Sequence, residues 1–379
     1  MPEEREPYTA GPLAGLRILE LGGIGPGPFA TMLLADLGAD VVRVDRPGAT
    51  SIFPGGDTQN LLNRGKRSVA LDLKDPGDLA TARRLARNAH ATVEGFRPGV
   101  AERLGLGPDD LWRENPALVY GRMTGWGPDG PRATTAGHDI NYIAITGALY
   151  AIGGRDGPPQ VPLNLLGDFA GGGMYLVVGL LAALREADRT GRGQVVDAAI
   201  VDGVGHLLAS TRARLAVGDW TDRRGTNMLD GGAAPFYGVY ETADGEHMAV
   251  GAIESPFYAA FVAGLELDEP LDRQHDEASW PALRARIAAR FRERTQAEWT
   301  ATFDHTDACV SPVRSLRAAV DDPQIAARGG VVERDGIVQP ARAPRFSGHR
   351  RPPLPRPPRS GEHTEEVLRD WRAGATVTE

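Results

Sequence analysis

The sequence predicts an α/β protein: a large domain built on a parallel sheet, joined to a smaller α+β domain. Three observations carry this. Strand-like and helix-like segments alternate through the first half of the chain, which demands a parallel sheet covered on both faces. A hairpin with an Asp-Gly turn breaks that rhythm in the middle. A proline-rich stretch near the end cannot be helical.

The elements follow in order. Residues 16–21 read as a strand, then come a Gly/Pro turn, a helix around 29–37 and a strand at 40–44, together a βαβ unit. Further strands are expected at 68–72, 91–94 and 118–121, with a helix at 78–89 between the first two. The apolar run 174–184 is too short to cross a bilayer and reads as a buried helix. A strand at 193–197 leads into a helix from about 198 to 216. Residues 237–242 and 247–251 form the hairpin around Asp244-Gly245, and helices are expected at 256–263, 280–292, 296–303 and 364–371. Residues 350–358 read as an extended surface arm. No internal repeat is visible. The large domain therefore takes 1–215, the small α+β domain 216–325, and a C-terminal arm and helix at 326–379 return to the large domain.

Composition narrows the class. The 379 residues are 41% hydrophobic and 24% charged, as in ordinary globular proteins. The net charge of -8 argues against non-specific nucleic-acid binding, while leaving room for a local basic pocket. A lone cysteine, Cys309, excludes an internal disulfide and a cysteine-rich zinc site. Its apolar-leaning neighbours favour a buried small hydrophobe over a nucleophile. Residues 1–6 are charged and lack an apolar signal core, and residues 376–379 match no lipidation or organelle address. The expectation is a cytoplasmic enzyme with no nucleic-acid or membrane partner.

The turn Gly25-Pro26-Gly27-Pro28-Phe29-Ala30 fits the dinucleotide-binding G-x-G-x-x-A form, with Asp45 placed to meet a ribose. Two facts count against that use. Pro26 and Pro28 remove backbone N–H donors from the loop, and Arg43 and Arg46 flank Asp45 and favour phosphate. A tight turn in a Rossmann-like sheet, beside a different nucleotide-bearing ligand, fits better. Cations gather at three predicted strand edges: Arg43 and Arg46, then Arg64, Lys66 and Arg67, then Arg97. Each cluster could be a solvated face. Together, in an acidic chain, they point to a ligand with several phosphates.

Gly137-His138-Asp139-Ile140-Asn141-Tyr142 and Gly167-Asp168-Phe169-Ala170-Gly171-Gly172-Gly173 supply an imidazole and a carboxylate, each beside glycine. These groups exchange protons near neutral pH. Glu254 follows the hairpin. It is either a further active-site acid or a carboxylate at a helix N-terminus.

Residues 16–47, 63–74 (Asn-Arg-Gly-Lys-Arg-Ser-Val-Ala-Leu-Asp-Leu-Lys), 95–107, Thr124-Gly125-Trp126-Gly127, the two glycine-flanked segments and residues 361–368 together resemble the family III CoA-transferases. The resemblance runs from about 11 to 371. Within the family the chain looks most like the α-methylacyl-CoA racemase branch. Asp168 stands at the position of the transferases' aspartate nucleophile. The racemases pair that aspartate with a histidine, here His138, and the glycine-rich loop before the hairpin is short, at Asp230-Gly231-Gly232-Ala233-Ala234. The resemblance thus implies interconversion of (2R)- and (2S)-2-methylacyl-CoA thioesters by two-base proton transfer through an enolate. The alternative is transfer of CoA between carboxylic acids through a covalent Asp168 intermediate. On the first reading His138 and Asp168 are the bases, and burial against Phe169 should raise the Asp168 pKa. Glu254 orients or charges the histidine. Arg43, Lys66, Arg67 and Arg97 hold CoA, with Asp139 (through its backbone N–H), Asn164 and Tyr237 as further pocket residues. The chemistry calls for no metal and no cofactor beyond the CoA of the substrate. The resemblance also implies an interlocked homodimer, with active sites formed between large and small domains of different subunits and the proline-rich arm as the means of wrapping.

Overall fold

Six strands form the larger sheet: β1 (Arg17–Glu20), β2 (Asp40–Asp45), β3 (Arg67–Ala70), β4 (Ala91–Glu94), β5 (Val119–Thr124) and β6 (Val195–Ala199). The computed structural model describes residues 11–48, 53–349 and 353–371. The expectations for both extreme termini and for the start of the proline-rich arm (350–352) lie outside the described residues. The strand order is β3-β2-β1-β4-β5-β6, and every neighbouring pair is parallel. Ile18, Leu19, Val41, Val42, Val69, Val93 and Val119 are at most 1% exposed, as strands covered on both faces require.

The covering helices begin where the sequence provides a start. Helix α1 (Pro26–Asp36) has proline in its first turn, where the missing N–H costs nothing. Helix α2 (Pro76–Arg87) is capped by Asp75, whose carboxylate accepts the N–H groups of Gly77 and Asp78. Helix α3 (Asp139–Ile145) opens at His138. A π-helical stretch, Leu165–Met174, runs directly into α4 (Tyr175–Thr190). The two make one helix of 26 residues, longer than the apolar run alone suggested, and by length and composition it passes the test for a membrane span. Its buried face lies on the sheet: Leu176 and Leu180 pack over Gly121 of β5, and Gly179 faces Val196 of β6.

The chain divides into two compact units: Met1–Thr146, Leu163–Leu207 and Gln324–Glu379 in one, Gly147–Pro162 and Leu208–Pro323 in the other. The helix read at 198–216 is corrected. Strand β6 keeps residues 198 and 199, α5 (Ile200–Leu207) follows, and the chain breaks at Leu208 before a separate helix, Ala209–Ala216. The break falls where one unit ends, so a single apolar pattern spans two environments.

The second unit holds an antiparallel sheet: β7 (Tyr237–Glu241), β8 (His247–Gly251) and β9 (Val310–Pro312). Helix α6 (Ser255–Gly264) and the helices Trp280–Phe291 and Gln296–Phe303 surround a core of Phe236, Tyr258, Phe261, Phe291 and Trp299. Strand β9 was not read from the sequence, and Cys309 beside it is corrected from buried to exposed. At φ 53° its backbone is left-handed, and its carbonyl accepts the Gly251 N–H, so Ala308 rather than Cys309 fills the core. The hairpin β10 (Val331–Arg334) with β11 (Ile337–Pro340), in the first unit, was also unread.

The C-terminal helix α7 (Thr364–Asp370) closes the open edge of the large sheet. Trp371 donates its indole N–H to Asp40 at 2.8 Å, and its carbonyl accepts from Asn88 at 2.7 Å. His363 accepts the Ser68 N–H through its ring and donates its backbone N–H to the Ser68 carbonyl. Trp371 is 1% exposed, so Trp371→Ala should lower unfolding stability by about 3–5 kcal/mol in denaturant titration, the range for losing a buried aromatic.

Candidate active site

The loops at the carboxyl ends of β1, β4 and β5 wall a cavity of about 780 Å³ in the first unit, which His138, Asp168, Asn164 and Arg97 also line. Ligands in open parallel sheets gather at such strand ends. A second cavity of about 850 Å³ lies beside it, sharing Gly22–Gly25, Pro28 and Asn164 with the first. Arg43 and Arg46 stand on its rim, among Phe53, Leu61 and Phe169.

The Gly-His-Asp-Ile-Asn-Tyr segment wires itself around the histidine. Asn141 accepts the His138 N–H through its side chain at 3.0 Å, and Tyr142 donates its hydroxyl to the Gly137 carbonyl at 2.5 Å. The Tyr142 ring meets Trp126 edge-on at 4.6 Å between centroids. A side chain on Gly125 would fall 2.0 Å from that ring, which is why the Thr-Gly-Trp-Gly segment needs its glycine. The imidazole itself is exposed, set over the backbone of Asn141 in a capping box that opens the helix. The first N–H groups of α3, beginning with Asp139, have no acceptor within the helix.

Asp168 sits in the π-helical stretch, half-buried. Its backbone N–H donates to the Asp139 carboxylate at 2.6 Å, and Asn164 donates to its side chain at 3.3 Å. Gly167 permits this: a side chain there would lie 2.3 Å from the Asp139 carboxylate. Phe169 stacks on Phe29 with centroids 4.5 Å apart and lines the second cavity. Burial raises the Asp168 pKa above the usual carboxylate value. The Asn164 hydrogen bond and the nearby His138 oppose this, and the charge of Asp139 adds to it. Asp139 is 7% exposed, with one carboxylate oxygen unbonded, so its side chain supports Asp168 from behind the cavity wall.

The expected cations part company. Arg43 is half-buried at the second cavity, held by Asp45 at 2.7 Å and Asn63 at 2.5 Å. Asp45 also accepts from Ser68 at 2.7 Å, so the carboxylate that mimicked a ribose ligand is occupied. Arg97 is exposed on the first cavity, on a loop pinned by Glu94, which accepts the Phe96 N–H at 2.7 Å and pairs with Arg122 at 3.0 Å. Lys66 and Arg67 are corrected. The Lys66 side chain is 0% exposed, paired with Glu20 at 2.7 Å, and cannot reach a ligand. Arg67 ties Asp40 to Glu366 and Asp370 of the C-terminal helix, away from both cavities. Arg64 is likewise buried against Asp36. Glu254 and Tyr237 belong to the second unit. Glu254 precedes α6 with an exposed carboxylate, and Tyr237 is half-buried on β7. Sequence reasoning missed Glu20 and Glu94. Both end parallel strands, which was the available signal.

Burial pushes Glu20 up, but the attraction and hydrogen bonding of Lys66, with Arg43 and Thr31, outweigh it and hold Glu20 below the ordinary range. Burial brings Lys66 down to about 8 against the pull of Glu20, so both groups are charged at neutral pH.

The family model for CoA-transferase family III matches residues 13–364. The chain is 46% identical to an α-methylacyl-CoA racemase of Mus musculus, over 95% of this chain and 93% of the relative. It is 30% identical to a mouse succinyl-CoA:glutarate CoA-transferase, over 95% of this chain and 86% of the relative. The solved structure of a CaiB/BaiF family protein from Brucella suis superposes with a TM-score of 0.83 at 27% identity, covering 96% of this chain and 100% of that one.

A raised native pKa at Asp168 means that stability is present below the unfolded value and is lost as pH rises through the folded one. Asp168→Asn should therefore melt above wild type at pH 8, with the difference vanishing near pH 4 in paired thermal melts.

Proposed function

The chain belongs to CoA-transferase family III, and on that premise we propose that it is an isomerase of the α-methylacyl-CoA racemase type, interconverting (2R)- and (2S)-2-methylacyl-CoA thioesters. The observation that carries this is the pairing on one cavity of an exposed imidazole, His138, with a carboxyl raised by burial, Asp168. Inversion at a carbon α to a thioester needs one group to take a proton from one face and another to deliver one to the opposite face. An imidazole and a carboxyl raised by burial are the kinds of group that such an exchange calls for. The enolate oxygen formed between the two steps would meet the Asp139 and Ile140 N–H groups that open α3. Arg43, Arg46 and Arg97 are the cations left to receive the phosphates of CoA, whose binding energy positions the reacting carbon from a distance. This two-base chemistry uses no metal or redox group. Glu254 remains the third proposed site acid, and Tyr237 a proposed pocket residue. A homodimer in the cytoplasm completes the reading, and light scattering of the purified protein tests the dimer.

Incubation with a (2R)-2-methylacyl-CoA in D2O should give α-deuteration with loss of stereochemical purity, followed by mass and chiral analysis. His138→Ala should cut that exchange about 10²–10⁴-fold, the usual contribution of a positioned acid/base. An Asp168–CoA thioester trapped on the protein, with CoA moving to an added carboxylate and no α-deuteration, would replace this reading with the transferase. Arg97→Ala should raise KM about tenfold with little change in kcat, since a phosphate contact binds substrate and transition state alike.

A further inference from the structure

The fully buried ion pair Lys66–Glu20 reaches neither cavity, yet Lys66 bonds the turn that walls them and Glu20 holds Thr31 just behind it. Glu20 is the last residue of β1, immediately before that turn. Its carboxylate accepts from Lys66 at 2.7 Å and from the Thr31 hydroxyl, on α1, at 2.7 Å. Lys66 also donates to the Pro28 carbonyl at 3.0 Å, and the Thr31 oxygen lies 3.1 and 3.2 Å from the carbonyl oxygens of Gly27 and Pro28. The turn has prolines at 26 and 28, so two of its backbone positions offer no N–H by which to be held. Its Pro28 carbonyl is held instead, by the Lys66 ammonium.

What the turn touches gives the grip its meaning. Gly25, at φ 70°, comes so close to Asp168 that a side chain there would lie 3.2 Å from the carboxylate. Two residues of the Asp168-bearing helix meet the turn directly: a side chain on Gly172 would fall 3.2 Å from Pro26, and one on Gly173 would fall 3.0 Å from the Pro26 carbonyl. The same cluster extends to the second cavity. Asn63 accepts from Arg43 at 2.5 Å and lies 3.4 Å from the Lys66 ammonium, and the Arg43 guanidinium stands 3.9 Å from Glu20.

We propose that Lys66 and Glu20 are positioning residues: a buried strut that holds the Gly25–Pro28 turn against Asp168 and fixes Arg43 at the same time, so that proton transfer depends on a pair no substrate touches. The kinetic arm of this inference rests on the racemase reading; the structural arm does not.

The test is the neutral double variant Glu20→Gln/Lys66→Met, in which no buried charge is left alone and packing volume is kept. Replacing a buried pair in this way is commonly neutral for stability. The expected result is a cooperative melt close to wild type, faster hydrogen–deuterium exchange in peptides covering residues 21–30 with β2 and β3 unchanged, and kcat for α-proton exchange lowered about 10- to 100-fold, more than KM rises. Displacements of about an ångström from remote changes have such effects. Unchanged exchange in residues 21–30, or unchanged kcat, in the folded variant overturns the strut. If the double variant shows no cooperative melt, Thr31→Val, which removes one hydroxyl from the same cluster, is read by the same two measurements. A wild-type protein that exchanges no α-proton sinks the functional reading, and hydrogen exchange of residues 21–30 then decides the strut alone.

Discussion

The close approach of the Asp168 helix to its neighbours is the constraint on which the rest of the site depends. A side chain on Gly171 would fall 2.5 Å from Val204, and one on Gly203 would fall 1.9 Å from the Gly171 carbonyl. Three consecutive glycines therefore let the π-helical stretch lie flat on both α5 and the β1 turn. π-Helical turns occur often at functional sites. Here the geometry sets a carboxylate on the wall of the first cavity, where partial burial can tune it without isolating it from a ligand.

Charge placement in the first unit follows one economy. Buried cations have buried acids: Arg64 with Asp36, and Lys66 with Glu20. Exposed or half-buried cations at the cavities are only partly committed, as with Arg43, or lack an ion pair among the described residues, as with Arg97. Desolvating a charge costs several kcal/mol, so a cation meant for an anionic ligand cannot be wholly buried while it waits. The same logic explains why a partly wrapped acid, Asp168, is the one whose proton affinity rises, while the fully enclosed Glu20 stays ionised beside its lysine.

Much of the fold was legible because it rests on local pattern. The βαβ rhythm, the Asp-Gly hairpin and the helices around 256–263, 280–292 and 296–303 all carry period or turn chemistry that a reader can follow. Strand β9 and the 331–340 hairpin were not, since each is short and is defined by partners distant in sequence. His138 and Asp168 were legible through their glycine neighbours, and the structure brings both to one cavity. The cations of 64–67 were misread for a physical reason: sequence shows charge but not the acid that meets it, and Asp36, Glu20 and Asp40 lie well upstream. Cys309 failed in the other direction. Its neighbours are apolar, yet a left-handed backbone turns the thiol outward.

The edge strand of the large sheet, β3, is covered by the bonds that tie Ser68 and Ala70 to His363 and Thr364, and this bears on how the protein forms during synthesis. Segments at both ends of the chain build the first unit, whereas most of the second, residues 208–323, is one continuous stretch between them. A ribosome delivers residues in order, and contacts spanning most of the chain close slowly. The second unit can therefore finish folding while the first still exposes the flank of β2 and β3. That unit waits for residues 364–371 to emerge. An arrest or frameshift late in translation would leave a nearly complete polypeptide with an unsealed parallel sheet, a natural client for chaperones.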